Sequence, residues 1–343
     1  MEILVPLHNS RYLLRKIIAA GADAAYFGVK PDARSASRYS LLWTQMEFDF
    51  KSAIEVVKIL NDCGRRSYIT LNVPYSTKQL EAVFDLACAL IESGANALII
   101  SDPGLMGMIK EEKPDAEMHV SITGRSANSQ TAVFYKELGA KRIILERILS
   151  VEEIKFIRET AGIDVEVFIY GNFCFFYHGG CRISSYFYGE QCIGPCMDEY
   201  LIDGLPEAGK RPFRSKPLNG YGLLPALFYA GVSAIKIEGR QKSDRYILDT
   251  LSVLRRAVDT LEQGGAICEE LKHSGLFIYP PESTAGFFSA PPSVDETMDR
   301  SDGISCRVRY FRTYFTFWGL PVAHQMRRLK KEAYRIERSN TDK

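Results

Sequence analysis

Four cysteines lie close together in one aromatic segment of the chain and form its densest group of reactive side chains. They stand in GNFCFFYHGGCRISSYFYGEQCIGPC, from Gly171 to Cys196. Thiolates bind soft metal ions, and four of them complete either a cubane iron–sulfur cluster or a tetrahedral zinc site. The candidate metal ligands are Cys174, Cys181, Cys192 and Cys196.

The N-terminal residues predict that these thiols are kept reduced. MEILVPLHNSRYLLRK lacks the basic start, apolar core and cleavage site of a secretory signal. No stretch approaches the roughly 18 consecutive apolar residues of a membrane-spanning helix. We therefore expect a cytoplasmic protein without an integral membrane segment, in which clustered cysteines serve metal or redox chemistry more often than disulfides.

The spacing of the four cysteines leaves the bound metal open. The pattern C-x6-C-x10-C-x3-C differs from that of bacterial ferredoxins. Zinc sites usually contain cysteine pairs two to four residues apart, and only Cys192 and Cys196 fit that rule. From spacing alone, an iron–sulfur cluster, a zinc ion and unliganded or catalytic thiols all stay open.

The composition is that of a globular protein with a large core. Of 343 residues, 46% are hydrophobic and 25% are charged, which excludes a disordered or fibrous class. The 43 basic and 42 acidic side chains nearly cancel. This balance argues against a surface that attracts nucleic acid everywhere, but it is compatible with a local basic groove.

Short apolar runs alternate with amphipathic helical patterns along the chain. Two of these patterns, FKSAIEVVKILNDCG and TKQLEAVFDLACALIESG, end at Gly64 and Gly94, glycines that can end a helix in the left-handed conformation. The eight predicted strands cover residues 3–5, 24–28, 67–72, 97–101, 118–122, 142–146, 165–171 and 234–239. Eight buried strands alternating with helices over about 250 residues predict a TIM-type (β/α)8 barrel, or a distorted version of it. A doubly wound open sheet is the alternative. The cysteine-rich segment then follows the seventh strand.

Reactive groups of such barrels lie at the carboxyl ends of the strands. Polar residues at or near the predicted strand ends are Asn72, Asp102, His119, Ser121, Glu146, Arg147, Glu166, Asn172, Glu238 and Arg240. Any one of them could instead satisfy loop backbone groups, which is the common task of a polar residue at a strand end. Glu238 and Arg240 could equally form an internal ion pair.

The residues EVFIYGNFCFFYHGGCRIS, from 166 to 184, closely resemble the signature of the collagenase-like peptidase family, peptidase family U thirty-two. Further matches occur in the family's order, over about residues 1–260. They are GADAAYFG at 21–28, Ala33 and Arg34, TLN at 70–72, Asp102 with Gly104, His119 with Ser121, Asn128, Arg147 and KIEGRQKSDRY at 236–246.

The resemblance implies two different activities. The family is named for proteolysis, yet several members look like oxygen-independent hydroxylases of RNA bases or of the ubiquinone ring that carry an iron–sulfur cluster. We expect a 4Fe-4S cluster on the four cysteines, with zinc as the alternative, and hydroxylation of an RNA base or a small quinone-type aromatic substrate. The alternatives are a collagenase-like peptidase and a cluster-carrying partner subunit of a heterodimer with a related barrel protein. The sequence contains neither HExxH nor GxSxG, and its five histidines offer few bases for a catalytic triad.

The expected site residues have two roles. The acid–base candidates are Glu166, His119, Glu146 and Glu238. The substrate-binding candidates are Arg34, Asn72, Arg147, Lys236 and Arg240, since guanidinium and ammonium groups bind carboxylates and phosphates. Three positions depart from the family pattern: Asn219 replaces a further cysteine of several relatives, Thr123 a glutamine and Ile148 a glutamate.

The predicted domains are a barrel over residues 1–265, with a cysteine-rich insertion at 172–222, and a C-terminal extension at 266–343. In the extension, CRVRYFRTYFTFWG at 306–319 interleaves arginines with aromatic residues. This pattern favours a two-stranded antiparallel unit over a surface that stacks bases. MRRLKKEAYRIER at 326–338 predicts a terminal helix.

Overall fold

The computed structural model describes residues 1–30, 47–172, 174, 196 and 215–268, together with the backbone of 200–202 and 336–338. Strands β1–β7 span Glu2–Pro6, Ala24–Gly28, Arg66–Leu71, Ala97–Ile100, Met118–Val120, Ala140–Ile144 and Asp164–Asn172. Strands β8–β11 span Tyr200–Ile202, Pro217–Asn219, Ala234–Ile237 and Ile336–Arg338. These bounds confirm all eight predicted strands to within two residues at every end.

The helices lie between successive strands. Helices α1–α8 span Arg11–Ala19, Phe50–Asp62, Thr77–Glu92, Pro103–Glu112, Ser129–Glu137, Val151–Ala161, Leu224–Tyr229 and Asp244–Glu262. Asp49 and Asp102 accept hydrogen bonds from the first turns of α2 and α4, which is why those helices begin there. Gly64 and Gly94 follow α2 and α3 at φ values of 65° and 88°, so both predicted glycine stops are confirmed.

The parallel sheet closes on itself. Strands β1–β7 pair in chain order, and β10 pairs with both β7 and β1. An open doubly wound sheet would have two free edges, whereas here the first and seventh strands share a neighbour. The fold is therefore the predicted TIM-type (β/α)8 barrel. Strand β9 adds to it by pairing antiparallel with the carboxyl end of β7.

Two sequence predictions on the extension have different outcomes. Residues 336–338 form β11, which pairs antiparallel with β8, so the predicted terminal helix is wrong at those residues. Strand pairing with a distant segment satisfies their backbone groups, and tertiary contacts of this kind override helical periodicity. The predicted antiparallel unit at 306–319 lies outside the described residues. Within the described ranges, no helix is long and apolar enough to cross a membrane.

Charged side chains fill the amino-terminal end of the barrel interior. Arg142 donates to both carboxylate oxygens of Glu2, at 3.1 and 3.0 Å, and lies 3.5 Å from Glu166. The ammonium group of Lys236 donates to the other oxygen of Glu166 at 3.1 Å. Glu166 is fully buried, so it is held between two cations in a region that excludes water.

The same network continues around the barrel through His119. Its Nε2 lies 2.8 Å from Glu117, whose other oxygen accepts from Arg66 at 2.6 Å. Burial lowers the pKa of His119, so the ring is neutral at pH 7 and Nε2–H is the donor. We call Glu2, Arg66, Glu117, His119, Arg142, Glu166 and Lys236 the amino-terminal ion network.

Ionisation of Glu166 is set by its neighbours. Burial would raise the pKa of this carboxyl, but Lys236 and Arg142 hold it below its ordinary value. A depressed native pKa stabilises the fold above the ordinary carboxyl pKa of 4.5. This stabilisation is lost as the pH falls through the native value.

We expect Glu166→Gln to lower the free energy of unfolding at pH 7 by about 3–5 kcal/mol, because it leaves the buried ammonium group of Lys236 without a counter-charge and Arg142 with Glu2 alone. The measurement is urea denaturation followed by circular dichroism. Glu159→Gln removes an exposed carboxylate that pairs with Lys155 on α6, and its cost should stay below about 1 kcal/mol. An equal loss of unfolding free energy in the two variants would contradict a stabilising role for Glu166. The difference between the two losses should shrink as the pH is lowered, because Glu166 then becomes protonated in the wild type.

Candidate active site

The carboxyl ends of the strands form the mouth of the barrel, and the candidate residues divide between this mouth and the opposite end. Glu166 is the third residue of β7, and His119 lies inside β5. Both belong to the amino-terminal ion network, as does Lys236. The expectation that Glu166 and His119 lie at the mouth is therefore wrong in position. A polar residue early in a strand cannot reach the loops beyond the strand's far end.

Two candidates at the mouth form one ion pair. Arg147, which follows β6, donates to Glu238, which follows β10, at 3.0 Å. The same guanidinium donates to the carbonyl oxygen of Asn172 at the end of β7 and lies 4.2 Å from the ring centre of Phe168. Arg147 thus joins three strand ends and is only 6% exposed. Its arrangement supports a positioning role.

Gly171 makes room for this ion pair. It has a φ of 144°, a conformation that side-chain-bearing residues rarely adopt. A Cβ atom built on Gly171 would clash with the side chain of Glu238. The close approach of β7 to the loop after β10 therefore requires glycine at this position.

A second group at the mouth joins the ends of β3 and β5. Asn72 donates through Nδ2 to the hydroxyl of Ser121 at 3.3 Å. The hydroxyl of Thr123 lies 2.8 Å from Ser121 Oγ and 3.1 Å from the carbonyl oxygen of Asn72. Thr123 stands where the family pattern has a glutamine. Its short side chain forms hydrogen bonds with both Ser121 and Asn72, a geometry that the longer glutamine side chain would not reproduce.

The remaining mouth candidates flank these two groups. Glu146 is 5% exposed after β6, and its backbone N–H donates to Ser126. Arg240 lies after β10, with Nη1 3.4 Å from the hydroxyl of Thr70. Arg34 lies outside the described residues, so its predicted role in binding stays a prediction.

The predicted metal ligands are only partly described. Cys174 follows β7 by two residues, and Cys196 lies later in the same segment; both are partly buried and neither forms a disulfide. Cys181 and Cys192 lie outside the described residues. Asn219, at the position of the missing family cysteine, pairs with Tyr170 across β9 and β7. Cys174 therefore comes two residues after β7. The end of this strand binds Arg147 through the carbonyl of Asn172 and pairs with Asn219 of β9.

Sequence reasoning missed one carboxylate and one aromatic side chain at this end of the barrel. Glu47 is 8% exposed and lies 3.6 Å from Arg240. It follows no strand, so the rule of strand ends could not find it. Phe168 lies within the apolar run of β7, where nothing in the sequence marks it as the aromatic face on which Arg147 rests.

We expect Gly171→Ala to lower the free energy of unfolding by about 1–3 kcal/mol, because it strains the backbone and displaces Glu238 from Arg147. Combining it with Glu238→Gly should cost less than the sum of the two single changes, since the clash involves the Cβ atom of Glu238 as well as its carboxylate and only glycine removes both. Thermal and urea unfolding measure both quantities. Gly107→Ala in α4, where a Cβ has open space, should be neutral or stabilising. Simple additivity would contradict the proposed contact.

Comparison with known proteins places these residues in a family. A family model described as Peptidase family U32 matches residues 11–298. The tRNA hydroxylation protein P of Escherichia coli is 29% identical over 323 residues, which cover 77% of this chain and 69% of that protein.

Two further relatives carry different descriptions. An uncharacterized protease of Methanocaldococcus jannaschii is 29% identical over 282 residues, covering 77% of this chain and 66% of that protein. The 23S rRNA 5-hydroxycytidine synthase of Escherichia coli is 28% identical over 271 residues, covering 76% of this chain but 40% of that enzyme. Since the family model covers most of the 343 residues, the chain belongs to peptidase family U32, as its signature residues predict.

Proposed function

We propose that this chain hydroxylates a base of RNA. The observation that carries the proposal is its similarity, over about three quarters of its length, to a tRNA hydroxylation protein and to an rRNA 5-hydroxycytidine synthase. The barrel mouth supports it, because Arg147 and Arg240 bring two guanidinium groups beside carboxylates and polar side chains. A base must leave its stack to enter such an enclosed mouth.

The cysteine segment fits an iron–sulfur cluster as the resident cofactor. Cys174 and Cys196 form no disulfide, and with Cys181 and Cys192 they would supply four soft sulfur donors. When bound, the cluster would supply one-electron chemistry or an iron position that binds an oxygen donor. The chain's own residues would then position the base against it.

The acid–base work falls to the residues that lie at the mouth. Among the carboxyl groups named from the sequence, Glu146 is the one buried at the mouth, where it would accept a proton from a bound base. Glu238 is engaged with Arg147 and would order the loops. His119 and Glu166, at the other end of the barrel, would support the interior and not touch the base.

The function is tested on RNA from cells with and without the gene. We expect mass spectrometry of digested RNA to find a pyrimidine nucleoside heavier by one oxygen atom, and to find it lost on deletion. Complementation with the wild-type gene should restore it. Identical nucleoside profiles in cells with and without the gene would contradict the proposal.

The cofactor is tested on protein purified without oxygen. We expect a broad absorption band in the visible blue with matching iron and sulfide, and its loss in Cys192→Ser and Cys196→Ser. Cys63→Ser is the matched control, because Cys63 is an exposed free thiol at the end of α2. Colourless protein with zinc instead of iron would contradict the cluster.

Three readings outside RNA hydroxylation stay predictions. A collagenase-like peptidase would cleave gelatin and be sensitive to thiol reagents or chelators. A cluster-carrying partner subunit would co-purify with a second barrel protein and lack product formation alone. A quinone hydroxylase would leave the RNA nucleosides unchanged while altering the quinone pool.

A further inference from the structure

A buried carboxyl group without a sequence signal lies at the barrel mouth. Glu47 directly precedes Phe48, whose backbone N–H donates to the carbonyl of Gly28 at 3.1 Å. The carbonyl of Phe48 accepts from Lys30 at 2.8 Å. These two bonds fasten Glu47 over the end of β2, where its exposed fraction is 8%.

The carboxylate of Glu47 is incompletely paired. Its Oε1 lies 3.6 Å from Nη1 of Arg240, which is longer than a hydrogen bond. Its Oε2 is shielded from solvent and has no hydrogen-bond partner among the described residues. A buried acceptor left without a donor costs free energy, so a purely structural carboxylate would be expected to fill both oxygens.

Gly28 keeps open the space that this carboxylate occupies. A Cβ atom on Gly28 would lie 2.7 Å from Cδ of Glu47, closer than side chains tolerate. The last position of β2 thus has to be glycine while Glu47 is in place. Strand and loop are fitted to each other around the carboxyl group.

Two positive charges and one neutral hydroxyl face Glu47 from three loops. They are Arg240 after β10, Lys30 after β2 and the hydroxyl of Tyr75 after β3. Burial raises the pKa of Glu47 to about 7, although Arg240 and Lys30 act to lower it. Since the native pKa lies above the ordinary value, the fold favours the protonated carboxyl of Glu47. The contribution of this group to the free energy of unfolding is full at low pH and is lost as the pH rises through about 7. Above that pH the ionised carboxylate lowers stability, which is typical of a group retained for function.

We propose that Glu47 and Arg240 together recognise the pairing edge of a pyrimidine base. Glu47 accepts a hydrogen bond from a base N–H, and Arg240 donates to the ring acceptor beside it. Both pyrimidines present such a neighbouring donor and acceptor: the amino group and N3 of cytosine, and N3–H and O4 of uracil. This inference rests on the proposed function, because it names how the same mouth holds its substrate.

The expected selectivity is large enough to measure. A well-formed pair of hydrogen bonds to a base edge discriminates against the wrong edge by a factor of about 10–100. A site built to pair an N–H rejects an analogue that lacks it, because its own buried acceptor is then left unpaired. The acceptor in question is the second oxygen of Glu47, which has no hydrogen-bond partner among the described residues.

The experiment compares RNA hexanucleotides that differ only by methylation of the pairing edge of one base. One pair contains a single uridine or 3-methyluridine, and the other a single cytidine or N4,N4-dimethylcytidine. We expect wild-type protein, followed by fluorescence anisotropy, to bind each unmethylated RNA about ten-fold or more tightly than its methylated partner. Its affinity for the uridine RNA should rise with pH through about 7, because an ionised carboxylate is the stronger acceptor.

Two variants and one control locate the effect. Glu47→Leu should bind both members of each pair equally. Glu47→Gln keeps the size and one acceptor oxygen, so it should retain part of the discrimination and lose the pH dependence. It should also melt at a higher temperature than wild type at pH 8, with a smaller gain at pH 5. Glu81→Gln, an exposed carboxylate on α3, should behave as wild type throughout.

Equal binding of methylated and unmethylated RNA by wild type, or unchanged discrimination in folded Glu47→Leu, overturns the inference. So does a Glu47→Gln variant that is less stable than wild type at pH 8, since that marks a structural carboxylate. If cells still form the hydroxylated nucleoside in those cases, the proposed function survives alone. If wild type binds none of the RNAs and no hydroxylated nucleoside depends on the gene, both fail together.

Discussion

Closure of the barrel by β10 is the constraint on which the rest of the structure depends. This strand has four residues, Ala234–Ile237, and it pairs with β7 on one side and β1 on the other. Its Lys236 reaches Glu166 in the amino-terminal ion network. The residues that follow it, Glu238 and Arg240, reach the mouth from the same short segment. One strand therefore connects the charged interior with the candidate site, and a shift of its register would disturb both.

The two ends of the barrel differ in how completely their charged side chains are paired. At the amino-terminal end, Glu166 has a cation on each oxygen, and Arg142 grips Glu2 with two hydrogen bonds. At the mouth, Arg147 is held by Glu238 and a backbone carbonyl, while Glu47 and Arg240 stay further apart than a hydrogen bond. Saturated pairs give rigidity, and an incompletely paired carboxylate keeps capacity for a ligand.

Most of the barrel could be predicted from the sequence because its strands are buried apolar runs of almost the same length as the observed ones. The ends of α2 and α3 were predicted correctly from Gly64 and Gly94, because a helix that ends in the left-handed conformation favours glycine there. Arg147 and Glu238 were expected at the mouth because both stand at or near the ends of predicted strands. The residues 336–338 were assigned to a helix because strand pairing with a distant segment leaves no local pattern.

The errors within the site have a common physical cause, which is that contacts through space do not follow chain order. Glu166 and His119 were assigned to the mouth from their types and their strands, but depth along a strand decides which end a side chain reaches. Glu47 belongs to no strand, and it is brought over β2 by two backbone hydrogen bonds of Phe48, which donates to Gly28 and accepts from Lys30. The glycine that ends AAYFG was visible in the sequence, yet its need for space becomes clear only when the carboxylate that fills this space is known. A strand-ending glycine in a barrel is therefore best treated as a question about which distant side chain packs against it.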